Sequence, residues 1–378
     1  MQIYLDNAAT TRVCDEAAEK AVEIMTSVYG NPSSTHTLGR MARDELSAAR
    51  ARIAKVLSAN NNEIHFTSGG TESNNWAILE GAKIASRHGK HVISSNAEHD
   101  SVRKSIQELE SRGYEITWLN PDKSGAISIE DFSAAVRADT VFASLMLVNN
   151  ETGAISDITA MSTCLKAKNP AAVFHTDAVQ GFIKTEFSPQ KLGADLLSIS
   201  GHKIHAPKGV GALYIKSGIR IPAMLHGGSQ EKGKRAGTEA LPLISAFGIA
   251  AEIGENQFKY SVKHMCELKN HAITRLAAEN PNLLVLGGGA PHILSISLPG
   301  YKSEVIMNFL EAKGIFVSKS SACKKGGRSH VLESMGIANE IIDGAIRVSI
   351  SRYSTIAEIN AFCDGIKTAR ESLFTILR

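Results

Sequence analysis

The stretch Ser198-Ile-Ser-Gly-His-Lys-Ile-His-Ala-Pro-Lys-Gly-Val-Gly211 decides how this chain is read. An apolar run enters it at 194–199 and another leaves it at 211–215, so a polar, glycine-rich turn joins two strands. Lys203 stands in that turn beside Ser200 and His202. Most lysines are solvated surface charges. One placed at a strand end among hydroxyl, imidazole and backbone N–H donors can be desolvated, which lowers its pKa and makes its amine a nucleophile toward carbonyls. The same donors suit a phosphate.

Working outward, residues 172–176 read as a buried strand that ends on Asp177, about one strand–connector–strand unit before Lys203. That spacing lets both side chains emerge at neighbouring strand ends. Alone, Asp177 would be a cap or turn residue. Paired with a Schiff-base lysine and a phosphate cradle, it is the acid that pyridoxal phosphate (PLP) needs at its pyridine nitrogen.

Strand-like runs at 63–67, 91–95, 114–119, 141–148, 172–176, 196–200 and 211–215 alternate with helical patterns at 40–57, 71–87, 101–112, 129–136 and 158–168. This predicts an α/β domain whose mostly parallel seven-stranded sheet binds its ligand at the carboxyl ends of the strands. A long helical stretch from 240 to about 278, interrupted near Gly254, leads to strands at 292–298 and 346–350 and helices at 304–313 and 356–377. We expect a large domain at 12–255 and a smaller α+β C-terminal domain formed by 1–11 and 256–378.

Composition excludes several classes. The 378 residues are 43% hydrophobic and 21% charged, ordinary for a soluble enzyme, and 41 basic against 38 acidic side chains leave +3, so no DNA partner is indicated. Five cysteines without a C-x-x-C suggest neither disulfides nor zinc and suit the reducing cytoplasm. No signal peptide and no apolar run near ~18 residues predict no membrane association. His202/His205 and His88/His91 are spaced as metal pairs, but no third ligand follows, so no metal is expected.

Other segments offer further chemistry. Phe66-Thr-Ser-Gly-Gly-Thr71 opens a helix as an anion site, with the Thr71 hydroxyl as a donor or plain N-cap, and matches neither dinucleotide nor nucleoside triphosphate motifs. His99 follows a strand, where it can stack on a flat cofactor and move protons. Asn150 and Gln180 are amides at strand ends that could hydrogen-bond a phenolic oxygen. Arg347 could clamp a substrate carboxylate or make a surface salt bridge. Cys323 lies in a polar loop with Lys319, Lys324, Lys325 and Arg328, cations that favour the thiolate; the other cysteines read as core residues.

Together these segments resemble the cysteine desulfurases, in the class V aminotransferase branch of fold-type I PLP-dependent transferases. The resemblance rests on Tyr4–Thr11, Asn31–His36, Ser68–Asn75, Glu98-His99, Val148–Gly153, His175–Gln180, Ser198–Gly211, Gly227–Glu231, Arg235–Thr238 and Ser321-Ala-Cys323 in that order. It implies a homodimer that takes sulfur from L-cysteine, leaving L-alanine and a persulfide on Cys323 for a sulfur-acceptor protein in iron–sulfur cluster assembly or thiolation. Lys203 would hold PLP, Asp177 the pyridine nitrogen, and Asn150 and Gln180 the ring oxygen, with His99 stacked on the ring. Thr71, Ser200, His202 and the neighbouring subunit's Thr238 would bind the phosphate, and Asn31 and Arg347 the substrate carboxylate. The chain departs from the family at Ser320, commonly glycine, and at Ala240, commonly asparagine, and its tract from Cys323 to Leu332 is slightly short. A selenocysteine lyase, a class V aminotransferase and a non-catalytic sulfur-transfer scaffold are the alternatives.

Overall fold

The computed structural model describes residues 2–319 and 327–374. Its main sheet has seven strands in the order Ile64–Thr67, Gly211–Ile215, Leu196–Ser200, Val173–Asp177, Thr140–Ser144, His91–Ser95 and Glu115–Leu119. Only Gly211–Ile215 runs antiparallel to its neighbours; the other pairings are parallel.

Side-chain alternation along these strands explains why they are almost wholly apolar. Ile93, Ala143, Phe174, Leu197 and Ala212 enter one core with the helices Thr37–Val56 and Leu241–Asn256. Their neighbours Val92, Phe142, Val173, Leu196 and Leu213 enter a second core on the opposite face, with Trp76 and Ile78 of the helix Gly70–Ile84. A sheet with both faces covered by helices has no polar face to show.

A separate core gathers Ile3 and Leu5 with Met265, Leu294, Ile296, Ile346, Val348 and Phe362. Its antiparallel sheet has the order Ser318–Lys319, Ala345–Ser349, Ile293–Ser297 and Leu284–Val285. The N-terminal strand Ile3–Tyr4 pairs in parallel with Ile315–Phe316, so the chain start packs against its C-terminal third.

Several elements differ from the sequence reading. The 240–278 helix breaks at Gln257, not Gly254, into Leu241–Asn256 and Phe258–Glu279; Gly254 stays inside the first helix, where its missing side chain admits Ile183. The helix Asp15–Thr26 was not anticipated. The 141–148 strand ends at Ser144, although Leu147 N–H still donates to Asp177 O (2.9 Å) before the chain turns.

Candidate active site

One cavity of about 330 Å³ opens at the carboxyl ends of the parallel strands. Asp177 is the last residue of its strand and pairs in register with Ser198 on the next, so the turn at Ser200–Lys203 rises beside it. Thr71, His99, Asn150, Asp177, Gln180, Ser200, His202, Lys203 and Arg347 all line this cavity. Asn31 and Thr238 do not: both are exposed, and the Asn31 side chain accepts from Ser33 N–H (2.9 Å) within its own turn. Cys323 lies outside the described residues.

The half-buried Lys203 Nζ donates to the carbonyls of Ala8 (2.8 Å) and Ala9 (2.6 Å), so the N-terminal segment forms part of the wall. Across the cavity, Asp177 Oδ1 accepts from Val179 N–H (2.9 Å) and Oδ2 from Asn74 Nδ2 (2.7 Å). Asn74 donates its other hydrogen to Ser101 Oγ (2.9 Å), which lies 2.8 Å from His99 Nδ1. Ser101 N–H also donates to that nitrogen (3.1 Å), so Nδ1 is an acceptor and a neutral His99 carries its proton on Nε2. His99 is therefore also the side-chain cap of the helix Asp100–Ser111.

Asn74 and Ser101 are the residues that sequence reasoning missed. The signal was present: positions 74, 77, 78 and 81 form one buried stripe of the helix Gly70–Ile84. An asparagine on such a stripe must find a partner.

The opposite end of the cavity is built for an anion. Gly69, not Thr71, caps the helix Gly70–Ile84, and its φ of +150° is a conformation other residues rarely adopt. Thr71 is the helix's second residue, so the N-cap reading of it is wrong. A Cβ on Gly69 would lie 3.8 Å from Ser200 Oγ, an ordinary contact, so the backbone conformation and not lack of space calls for glycine here. The first N–H groups of the helix, Ser200 and His202 meet here. Burial and the nearby Lys203 push His202 down to about 3, leaving a neutral imidazole whose Nδ1 lies 3.2 Å from Thr10 Oγ1.

Arg347 is no surface residue. It is 1% exposed, with Nη1 donating to Asn150 O (2.8 Å), Nη2 to Asp6 Oδ1 (2.9 Å), and a buried Nε without a partner. Gln180 Nε2 donates to Ala8 O (2.9 Å), and its Oε1 lies 3.3 Å from His292 Nε2, so its amide already supports the wall. Two cations expected beside Cys323 are compensated: Lys319 pairs with Glu304 (2.9 Å) and Arg328 with Asp343 (2.8 Å). Arg328 and His330 line the cavity.

These residues fit PLP. An amine and a carboxylate face one cavity, a glycine-gated helix N-terminus closes one end, and Arg347 presents an unpartnered buried donor. Among the described residues no cluster of His, Cys, Asp or Glu could hold a metal, and no helix is long and apolar enough to cross a membrane.

Residues 3–362 match the aminotransferase class-V family model. The chain belongs to that family. It is 39% identical over 364 residues to a cysteine desulfurase IscS of Methanosarcina thermophila, covering 95% of this chain and 89% of that one. It is 41% identical over 363 residues to cysteine desulfurase 2 of Trichormus variabilis, covering 95% and 90%. Among solved structures, a NifS-like protein superimposes with a TM-score of 0.93 at 34% identity, covering 99% of this chain and all of that one. Members of this family depend on PLP, and this chain is a PLP-dependent enzyme of the cysteine desulfurase group.

Two predictions follow the geometry. Asn74→Ala removes the amide that holds Asp177 and, through Ser101, His99. A hydrogen bond to a charged group contributes about 1.5–3 kcal/mol, so PLP binding should weaken about tenfold or more in a titration of apoprotein. Unchanged affinity would contradict the role.

The second concerns Glu98, which accepts from Ser95 Oγ (2.8 Å) and Met146 N–H (3.0 Å). Burial pushes it up to about 8 against those hydrogen bonds, and the Asp177 charge adds to the rise. The folded protein then keeps a proton that the unfolded chain releases above about 4.5, so this group's contribution declines as pH rises toward 8. Relative to Glu98→Gln, which does not titrate, the wild type should lose urea stability between pH 5 and 8; parallel profiles would refute this.

Proposed function

We propose that this enzyme takes sulfur from L-cysteine, releases L-alanine and holds the sulfur as a persulfide on Cys323. The observation that carries this reading is one cavity lined by Lys203, Asp177, His99 and Arg347, whose buried Nε has no hydrogen-bond partner among the described residues. That arrangement presents an amine, an acid, a stacking ring and a carboxylate receptor to an amino acid in a family whose named relatives are cysteine desulfurases.

Bound there, PLP supplies an electron sink for the substrate's α-carbon. Lys203 anchors it and moves a proton at Nζ. Asp177 holds a proton at the pyridine nitrogen, kept in place by Asn74 and the Val179 N–H. His99, with Nε2 protonated, would stack against the ring, and Asn150 and Gln180, which line the same cavity, would serve the ring oxygen. Thr71, Ser200 and His202 would receive the phosphate, joined by Thr238 of a second subunit, and Arg347 would receive the substrate carboxylate; Asn31, exposed and held within its own turn, does not reach this cavity in the single subunit. The Cys323 thiolate attacks the substrate sulfur and forms an S–S bond. The broken C–S bond's electron pair ends, protonated, as a C–H bond of alanine. The net reaction, thiol plus cysteine to persulfide plus alanine, needs no external oxidant.

The enzyme works as a homodimer in the cytoplasm, with residues 12–255 as the cofactor-binding domain and 1–11 with 256–378 as the smaller one. It passes sulfur to an acceptor protein in iron–sulfur cluster assembly or thiolation. Alanine and sulfide measured from L-cysteine with a thiol reductant test this reading. Cys323→Ser should abolish sulfide release while leaving PLP bound. Undiminished sulfide from that variant would sink the persulfide step, and turnover of L-selenocysteine alone would favour a selenocysteine lyase.

A further inference from the structure

Behind the Lys203 wall a small cavity of about 20 Å³ lies at the seam between the two halves of the molecule. Asn7 and Thr11 reach it from the N-terminal segment, Ile183 and Lys184 from the turn after Asp177, Ser261 from the helix Phe258–Glu279, and Arg352 from the segment after the strand Ala345–Ser349.

Four polar atoms at this cavity lack a hydrogen-bond partner among the described residues. Lys184 Nζ, Ser261 Oγ and both Nε and Nη2 of Arg352 are buried without a hydrogen bond. Lys184 is 8% exposed and Ser261 4%. Both charged lining residues are cations, and among the described residues no carboxylate lines the cavity. Burial pulls Lys184 down to about 7, and the charges of Lys203 and Arg352 pull it the same way. The third basic lining group, His205, is engaged elsewhere: its Nδ1 lies 2.9 Å from Arg12 O and its ring stands edge-on to Tyr353.

The Arg352 guanidinium is partly exposed and lies over the Tyr353 ring (5.0 Å to its centroid), yet its Nε and Nη2 stay buried without a hydrogen bond, and a guanidinium does not lose its proton. A water molecule would satisfy the donors but not the charge. The backbone also keeps the site in being. Ile183, β-branched, holds φ at +58°, a left-handed conformation that persists only where its surroundings impose it. Gly254 makes room for it: a Cβ there would fall 2.6 Å from Ile183 Cγ2 and 3.1 Å from Arg352 Nη1.

We propose that this cavity binds a single monatomic monovalent anion, chloride in the cell, between Lys184 Nζ, Ser261 Oγ and the Arg352 guanidinium. The volume accommodates one sphere about the size of a water and excludes sulfate and phosphate. The anion balances the charges of Lys184 and Arg352 and ties the helix Phe258–Glu279 and the Arg352 segment to the turn after Asp177. This inference does not depend on the desulfurase reaction.

The test uses the full-length, PLP-loaded protein in gluconate, with chloride or bromide exchanged in at constant ionic strength. Tm should rise by about 2–5 °C and saturate. Crystals grown in bromide should show an anomalous peak among Lys184, Ser261 and Arg352. Lys184→Met should lose both signals. Should that variant fail to fold, Ser261→Ala, which removes one neutral donor, should raise the half-saturating halide concentration about fivefold. A Tm indifferent to halide, a peak in crystals without a saturable response in solution, or variants that titrate like the wild type would each overturn the proposal.

Discussion

The site depends on the register between two parallel strands. Asp177 closes Val173–Asp177 opposite Ser198, and the next strand runs only as far as Ser200 before turning at Lys203. The carboxylate and the amine are thereby delivered to one rim by backbone hydrogen bonds, with no flexible arm between them. The antiparallel return at Gly211 adds a second constraint, because a Cβ there would strike Gly69 Cα at 2.7 Å. Glycine at 211 thus lets the helix opening at Gly70 stand over the same rim.

The N-terminal segment completes what the sheet begins. Ala8 and Ala9 accept from Lys203, Ala8 also accepts from Gln180, and Asp6 pairs with Arg347. A few residues at the chain start thereby join the strand-end turn to a strand of the other core. The buried histidines beneath the rim are kept neutral: burial drives His175 and His205 to about 3, and His202 likewise. Glu98 is held protonated near neutral pH. Lys203, Asp177 and Arg347 line the same cavity as Asp100 and Arg328.

Much of this was legible in the sequence because the chemistry sits where strands stop, and strands are marked by apolar runs. The 91–95, 196–200 and 211–215 runs coincide with observed strands. Less legible was whatever depends on approach between distant segments. Asn74 looks like one more polar residue of a helix opening until Asp177 and Ser101 are seen on either side of it. Lys319 and Arg328 count as free cations until Glu304 and Asp343 are found against them. Local spacing gives no sign of the seam cavity, since Lys184, Ser261 and Arg352 come from three separate segments.

The central claim is that Lys203 is the residue that holds the cofactor. Borohydride reduction of the purified yellow protein, followed by proteolysis and mass spectrometry, tests it most directly. The phosphopyridoxyl group should appear on the peptide containing Lys203. Its appearance on another lysine, Lys184 included, would contradict the assignment.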